Sequence, residues 1–284
     1  MTSSPASAES REPSPFTVDR LRVFVHPDRR AMGAAAAGRA AAALREAIAR
    51  QGHARIVVAS APSQDELVAG LVAAPGIDWS RVTIFHMDEY VGLAASHPAS
   101  FRDYQRRHLL SAVRPAAFHG IRGEDPDPAS ECARYAALFG AAPIDLVCLG
   151  VGENGHIAFN DPGVADFDDP QTVRIVELDD ACRRQQVNDG CFEALEAVPR
   201  RAITLTCPAL MSGRVLVCVV PGPRKAIAVR HMLGDPISVA CPATVLRRHA
   251  HATLDLDHAA ASSLPQHPGS AATAVPAPSP RRNP

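Results

Sequence analysis

"IDLVCLGVGENGHIAFNDP", residues 144–162, runs an apolar stretch into a glycine-rich turn, then a histidine and an Asn-Asp pair. The apolar run has the length of a buried strand. Gly150, Gly152 and Gly155 permit tight turns and close approach of a ligand. The spacing "GVGENG" (150–155) also comes close to the G-x-G-x-x-G of dinucleotide sites. That motif needs a helix directly behind it, but the residues behind it here are "HIAFNDPGVADFDDP", with prolines and clustered aspartates. The stretch therefore predicts a strand whose carboxyl end opens into a functional loop without a dinucleotide. His156 is held in that loop rather than on a helix face, which favours an exposed catalytic imidazole over a packed core histidine.

Outward from this strand, short apolar runs alternate with longer helical patterns: "RLRVFVH" before "RRAMGAAAAGRAAAALREAIARQG", "ARIVVAS" before "SQDELVAGLVAA", and "RVTIFHMDE" before "PASFRDYQRRHLLSAV". "FHGIRG" precedes "DPASECARYAALFG", while "TVRIVEL", "RAITLTC" and "RVLVCVVPG" read as later strands and "ATLDLD" as a last short one. The alternation predicts an α/β fold, doubly wound, with a mostly parallel Rossmann-like sheet and helices on both faces. Ligands of such sheets bind beyond the carboxyl ends of the strands. Four segments are therefore expected to converge: 59–64, 86–90, 152–156 and 221–225.

Composition narrows the function. The 284 residues are 46% hydrophobic, enough for a sizeable core, and carry a net charge of -1, which argues against general nucleic-acid or anionic-membrane binding. No run approaches the roughly 20 apolar residues of a membrane span, and the amino terminus is polar, so a cytoplasmic protein is expected. Residues 1–16 and 263–284 are rich in Pro, Ser and Ala and read as disordered tails around one domain, 17–262. Seven cysteines form an odd set without C-x-x-C spacing, and His249, His251 and His258 lack paired ligands. Neither a disulfide framework nor a metal site is expected.

Among 29 basic residues the only lysine is Lys225, in "PGPRK" at the start of a helix. An ammonium there joins unpaired backbone N–H groups and the positive helix end, a setting that suits a phosphate. "ASAPSQ" (59–64) is a second strand-to-helix turn, offering Ser60, Ser63 and Gln64 as donors; Ser63 with Glu66 also reads as a capping box. In "HMDEY" the neighbours Asp88 and Glu89 point to opposite faces of a strand. One can face the crevice as a general base, and the other is left to anchor a loop or subunit contact.

"MDEYVGL" with "HPASF" shortly after, "GVGENGHIAFNDP" and "PGPRKA", in this order, resemble the glucosamine-6-phosphate deaminases, whose relatives include the 6-phosphogluconolactonases. The likeness runs from about residue 20 to 258. It implies a doubly wound sheet with a small accessory sheet, a hexosamine 6-phosphate as substrate, no cofactor and a homo-oligomer. It further implies that Asp88 moves a proton between carbons 1 and 2 of the open-chain sugar, that His156 opens the pyranose ring, and that Lys225 binds phosphate, with Gly152 and Gly155 shaping the substrate loop. The chain departs from the family at several positions. An Asp-Gly-His triplet becomes Asn154-Gly155-His156, a glutamate becomes Asp161, and the phosphate turn becomes "SAPSQ". A phosphate-binding arginine falls at Asn188, for which Arg183, Arg184, Gln185 or Gln186 are candidate substitutes.

Asparagine can orient an imidazole but adds no charge, so Glu153 or Asp161 would have to restore it. These departures keep a second chemistry open: elimination of water from N-acetylglucosamine 6-phosphate, with the same base. A lactonase using His156 to activate water, and a non-catalytic sugar-phosphate sensor, are the remaining alternatives.

Overall fold

Central strands buried on both faces need apolar side chains at nearly every position, and this is what β3 (Ala54–Val58), β7 (Leu146–Leu149) and β10 (Val215–Val220) provide. The computed structural model describes residues 15–265. In chain order it contains β1 (Phe16–Val18), β2 (Leu21–His26), α1 (Arg29–Gln51), β3, α2 (Asp65–Ala73), β4 (Val82–His86), β5 (Asp88–Tyr90), α3 (Phe101–Gln105) and β6 (Ala117–His119). Then come α4 (Pro128–Gly140), β7, β8 (Val173–Glu177), α5 (Asp180–Asn188), β9 (Arg201–Leu205), α6 (Cys207–Met211), β10, α7 (Ala226–Gly234) and β11 (Ala252–Asp257).

Eight strands form one sheet in the order β1-β2-β11-β10-β7-β3-β4-β6, parallel except for the β1–β2 pair. One face is covered by α1 and α2, where Ala36, Ala37, Ala40, Ala41 and Leu44 pack on Ile56, Val58 and Val217. The small side chains of α1 let it lie close to the sheet and to α2. The other face packs Tyr135 and Phe139 of α4, Leu210 of α6, and Val229 and Met232 of α7. The doubly wound expectation therefore holds. From β3 the chain proceeds to β4 and β6 on one side, and from β7 to β10 and β11 on the other, so a crevice opens above β3 and β7.

A separate antiparallel sheet, β5-β9-β8, matches the expected accessory sheet. "RVTIFHMDE" is thus divided between two sheets rather than forming one strand. At the division, His86 is fully buried and its Nε2 accepts from Ile121 N at 2.7 Å. Burial, helped by Arg102, pushes its pKa down to about 3, so the imidazole stays neutral as that acceptor requires. The bend after His86 carries Asp88 over the strand ends.

"ATLDLD", read from sequence as a last short strand, is β11 and lies between β2 and β10, inside the sheet. The tails expected at 1–16 and 263–284 lie outside the described residues except at their inner ends. There Phe16 pairs with Val23 in β1–β2, and Leu264 packs against the core. Among the described residues no helix is long and apolar enough to cross a membrane, and all seven cysteines are free thiols.

Candidate active site

The four strand-end segments meet around one cleft of about 610 Å³, including its open mouth. Ser60, Ser63, Gln64, Asp88, Gly152, His156, Gln185, Gln186 and Lys225 line it, with Phe101 and Phe159 as apolar wall. The other expected site residues lie elsewhere. Asp161 stands behind His156, Asn154 and Glu153 line a neighbouring hollow, and Gly155 and Arg183 line neither.

Asp88 and Glu89 diverge as the period of a strand requires. Glu89 is fully buried and accepts from Ser100 Oγ (2.7 Å), Tyr90 N (3.0 Å), Phe101 N (3.2 Å) and Arg102 N (3.0 Å), so it anchors the start of α3. Asp88 faces the cleft, and no protein donor reaches its carboxylate among the described residues. Burial, reinforced by the nearby Glu89 charge, pushes its carboxyl well above the usual range. A poorly solvated carboxylate without donors is a stronger base than one in water.

His156 rests on the backbone at Gly152, where a Cβ would overlap the ring. The second glycine, Gly155, has φ +86°, and a Cβ there would press on Cys241 Sγ at 2.6 Å. Together they set the loop that presents the imidazole. His156 Nδ1 lies 2.9 Å from Asp161 Oδ1, a close charge contact, although the ring nitrogen has no well-aligned hydrogen bond. Asn154 does not touch the cleft. Its amide donates to Asp161 Oδ1 (2.9 Å) and its carbonyl accepts from His156 N (3.1 Å), fixing acid and imidazole relative to each other. Burial opposes ionisation of Asp161, yet His156, Asn154 and Cys182 together hold its carboxyl below the ordinary range. The charge missing at position 154 is therefore supplied by Asp161. Glu153 does not supply it, because its carboxylate stands 3.4 Å from Arg224.

At the other end of the cleft, Ser60 Oγ accepts from Gln105 Nε2 at 2.9 Å, and Ser63 Oγ accepts from Gln64 Nε2 at 3.3 Å. Both hydroxyl protons stay available for an incoming acceptor. Gln64 Nε2 occupies the space where a Cβ on residue 150 would come within 2.7 Å, so Gly150 makes room for it. The capping box read from Ser63 and Glu66 does not form: α2 has no side-chain cap, and Glu66 instead pairs with Arg29 Nε at 2.6 Å. Lys225, only 7% exposed, points into this end at the start of α7. Burial lowers its pKa, partly opposed by Asp189 and Glu153.

Arg183, expected as a ligand for the substrate, is not in the cleft. Its guanidinium donates to the carbonyls of Leu195 (2.5 Å) and Val198 (3.2 Å) and pairs with Asp180 at 3.0 Å, fastening α5 to the loop after it. Sequence reasoning missed Arg224. It donates to Asn188 O (3.1 Å) and Asp189 Oδ1 (2.7 Å), which brings a guanidinium to the position where the resemblance places an arginine. The signal was its place beside Lys225. Gln105 was also missed, since only the tertiary fold brings α3 under Ser60.

A neutral donor set with one ammonium at one end, and a partnerless carboxylate with a histidine–aspartate pair at the other, suits proton transfer on a small phosphorylated molecule. Comparison with known proteins points the same way. Residues 27–254 match the family described as glucosamine-6-phosphate isomerases/6-phosphogluconolactonase. The chain is 42% identical over 186 residues to a glucosamine-6-phosphate deaminase of Exiguobacterium sp. strain AT1b, covering 66% of this chain and 71% of that one. It is 37% identical over 230 residues to the glucosamine-6-phosphate deaminase of Pseudarthrobacter chlorophenolicus, covering 79% and 87%. Among solved structures, a monomeric glucosamine-6-phosphate deaminase superposes with TM-score 0.78 at 27% identity, covering 85% of this chain and 99% of that one. A 6-phosphogluconolactonase from Shewanella baltica, at TM-score 0.67, 21% identity and coverage of 85% and 99%, shares the fold.

Proposed function

The chain belongs to the family of glucosamine-6-phosphate isomerases and 6-phosphogluconolactonases, and from that premise we propose that it deaminates and isomerises glucosamine 6-phosphate. The observation that carries this reading is the partnerless Asp88 carboxylate in the same cleft as Lys225 and the His156–Asp161 pair. Lys225, Ser60, Ser63 and Gln64 bind the phosphate. His156, backed by Asp161, moves the proton that opens the pyranose ring. Asp88 then removes the proton from carbon 2, carbon 1 is protonated, and water displaces ammonia from carbon 2. On sequence alone, the loss of a charge at Asn154 is the motive for elimination from an N-acetylated sugar. Asp161 at 2.9 Å from His156 removes that motive and favours deamination.

Purified protein given glucosamine 6-phosphate should release ammonia stoichiometrically with a ketose phosphate. With N-acetylglucosamine 6-phosphate, no unsaturated product should absorb in the ultraviolet. The reverse pattern would replace deamination by elimination, and binding without either product would leave a sensor.

Asn154 is a positioning residue in this scheme. Changing it to Asp removes the amide donor to Asp161 and sets a second carboxylate against it, which raises the Asp161 pKa. Asn154→Asp should lower kcat/KM by roughly 10- to 100-fold and move the acid limb of the pH–rate profile to higher pH. Converting Asp161 to Glu in the same chain, which restores the family's pairing, should recover part of the loss. Additive losses in the double variant would mean that the two positions are not coupled.

A further inference from the structure

Among the described residues Asp161 Oδ2 has no hydrogen-bond partner although the residue is fully buried, and His156 Nδ1, itself 8% exposed, stands 2.9 Å from Asp161 Oδ1 without a well-aligned hydrogen bond. Beside them lies Cys182, 1% exposed. A ligand atom from each of the three residues falls within 4.8 Å of the other two. An unpartnered carboxylate oxygen, an imidazole nitrogen and a soft sulfur gathered this closely make a metal-donor set. We propose that His156, Asp161 and Cys182 form a binding site for a thiophilic divalent cation of the zinc class, and that its occupation arrests the enzyme.

The donor chemistry selects the ion. Calcium and magnesium take six or more oxygen ligands, and this site offers one carboxylate. A nitrogen, an oxygen and a sulfur suit a tetrahedral ion with bonds of about 2.0–2.3 Å and a fourth position for water. Such bonds space the ligands about 3.5 Å apart, so ligand atoms that now lie up to 4.8 Å apart need shift by only about 1 Å. As the metal–sulfur bond forms, the Cys182 thiol releases its proton to solvent, while Asp161 and His156 Nδ1 each give a lone pair. Because the thiol must lose its proton to ligate, metal binding should strengthen as pH rises.

Access is through the cleft. Cys182 lies one helical turn below Gln186 on the same face of α5, and Gln186 and His156 both line the cleft wall. Sequence spacing conceals the site, because positions 156, 161 and 182 are joined only by the packing of α5 against the glycine loop. This proposal replaces the expectation of no metal, which weighs sequence spacing alone. A cation on Nδ1 opposes protonation of the ring and keeps Asp161 from acting as the histidine's counter-charge, so the ring-opening proton transfer stops.

Binding does not depend on the proposed reaction, whereas the arrest rests on it, and the experiment separates the two. Metal-free protein titrated with Co²⁺ should show a sulfur-to-cobalt charge-transfer band in the near ultraviolet, saturating at one ion per chain. Cys182→Ser and Cys182→Ala should each lose it. No such band, or a band that survives both substitutions, overturns the site, since six other cysteines could then account for it. In turnover, Zn²⁺ should inhibit the wild-type chain, and both Cys182 variants, each measured against its own metal-free rate, should need at least about tenfold more Zn²⁺ for the same fractional inhibition. Equal inhibition of wild type and variants overturns the arrest. A cobalt band with unaltered turnover would instead count against the role given to His156.

Discussion

Replacing Asp88 with Asn should cut kcat by roughly 10²–10⁴-fold while leaving the affinity for a hexosamine 6-phosphate within a few-fold of wild type. The amide keeps the shape of the carboxylate but cannot accept a proton from carbon 2. The phosphate donors at the other end of the cleft are untouched. The same substitution should stabilise the fold. In the folded chain, burial and the nearby Glu89 raise the Asp88 pKa well above 3.8. Below pH 3.8 both states are protonated. Above it the unfolded chain releases its proton first, so stability falls with pH until the folded carboxyl ionises too. The uncharged amide of the Asp88→Asn variant would escape that penalty, giving a higher melting temperature at neutral pH together with lost turnover. The pH–rate profile of the wild type should rise through the raised pKa, because only the ionised carboxylate acts as base. Full activity in the Asn variant would remove Asp88 from the mechanism.

The pairing of lost activity with gained stability separates a base from a scaffold residue, and Glu89 supplies the contrast. It accepts four hydrogen bonds and organises the start of α3. The two acids are adjacent in sequence and alike in composition, yet strand periodicity assigns them opposite faces. That much is legible because a period of two is a local property. Likewise the strand order is half visible. Central parallel strands are continuous apolar runs, but β1 has only three residues at an edge and merges with the Pro/Ser-rich terminus. Where side-chain partners lie far apart in sequence, legibility stops. The long guanidinium of Arg183 can reach several places, and only the fold shows that carbonyls at 195 and 198 take it. Glu66 suits a cap by spacing, but Arg29 from α1 claims it. Spacing offers both Glu153 and Asp161 for the charge beside His156, and only the loop geometry chooses Asp161.

Lys225 is the other position from which a large effect is expected. Lys225→Met should raise KM by roughly 10- to 100-fold, the value of a charge-assisted hydrogen bond to phosphate, with a smaller change in kcat. The ammonium is buried near Asp189 and Glu153, and Arg224 contacts both acids. Without Lys225 the nearby carboxylates of Asp189 and Glu153 lose a neutralising charge, so the loss should exceed that of a solvent-exposed lysine. Lys225→Arg should not restore KM, because a planar guanidinium is wider than the ammonium and would have to enter a site that leaves Lys225 only 7% exposed. The sign of the pH dependence comes from the lowered Lys225 pKa. Phosphate binds the protonated amine, so KM should climb as pH rises through that lowered value, and in the Met variant this alkaline rise should vanish. Inorganic phosphate as a competitive inhibitor should track the same curve. A KM unaffected by either substitution would place the phosphate away from α7, and the orientation of the sugar in the cleft would have to be reversed.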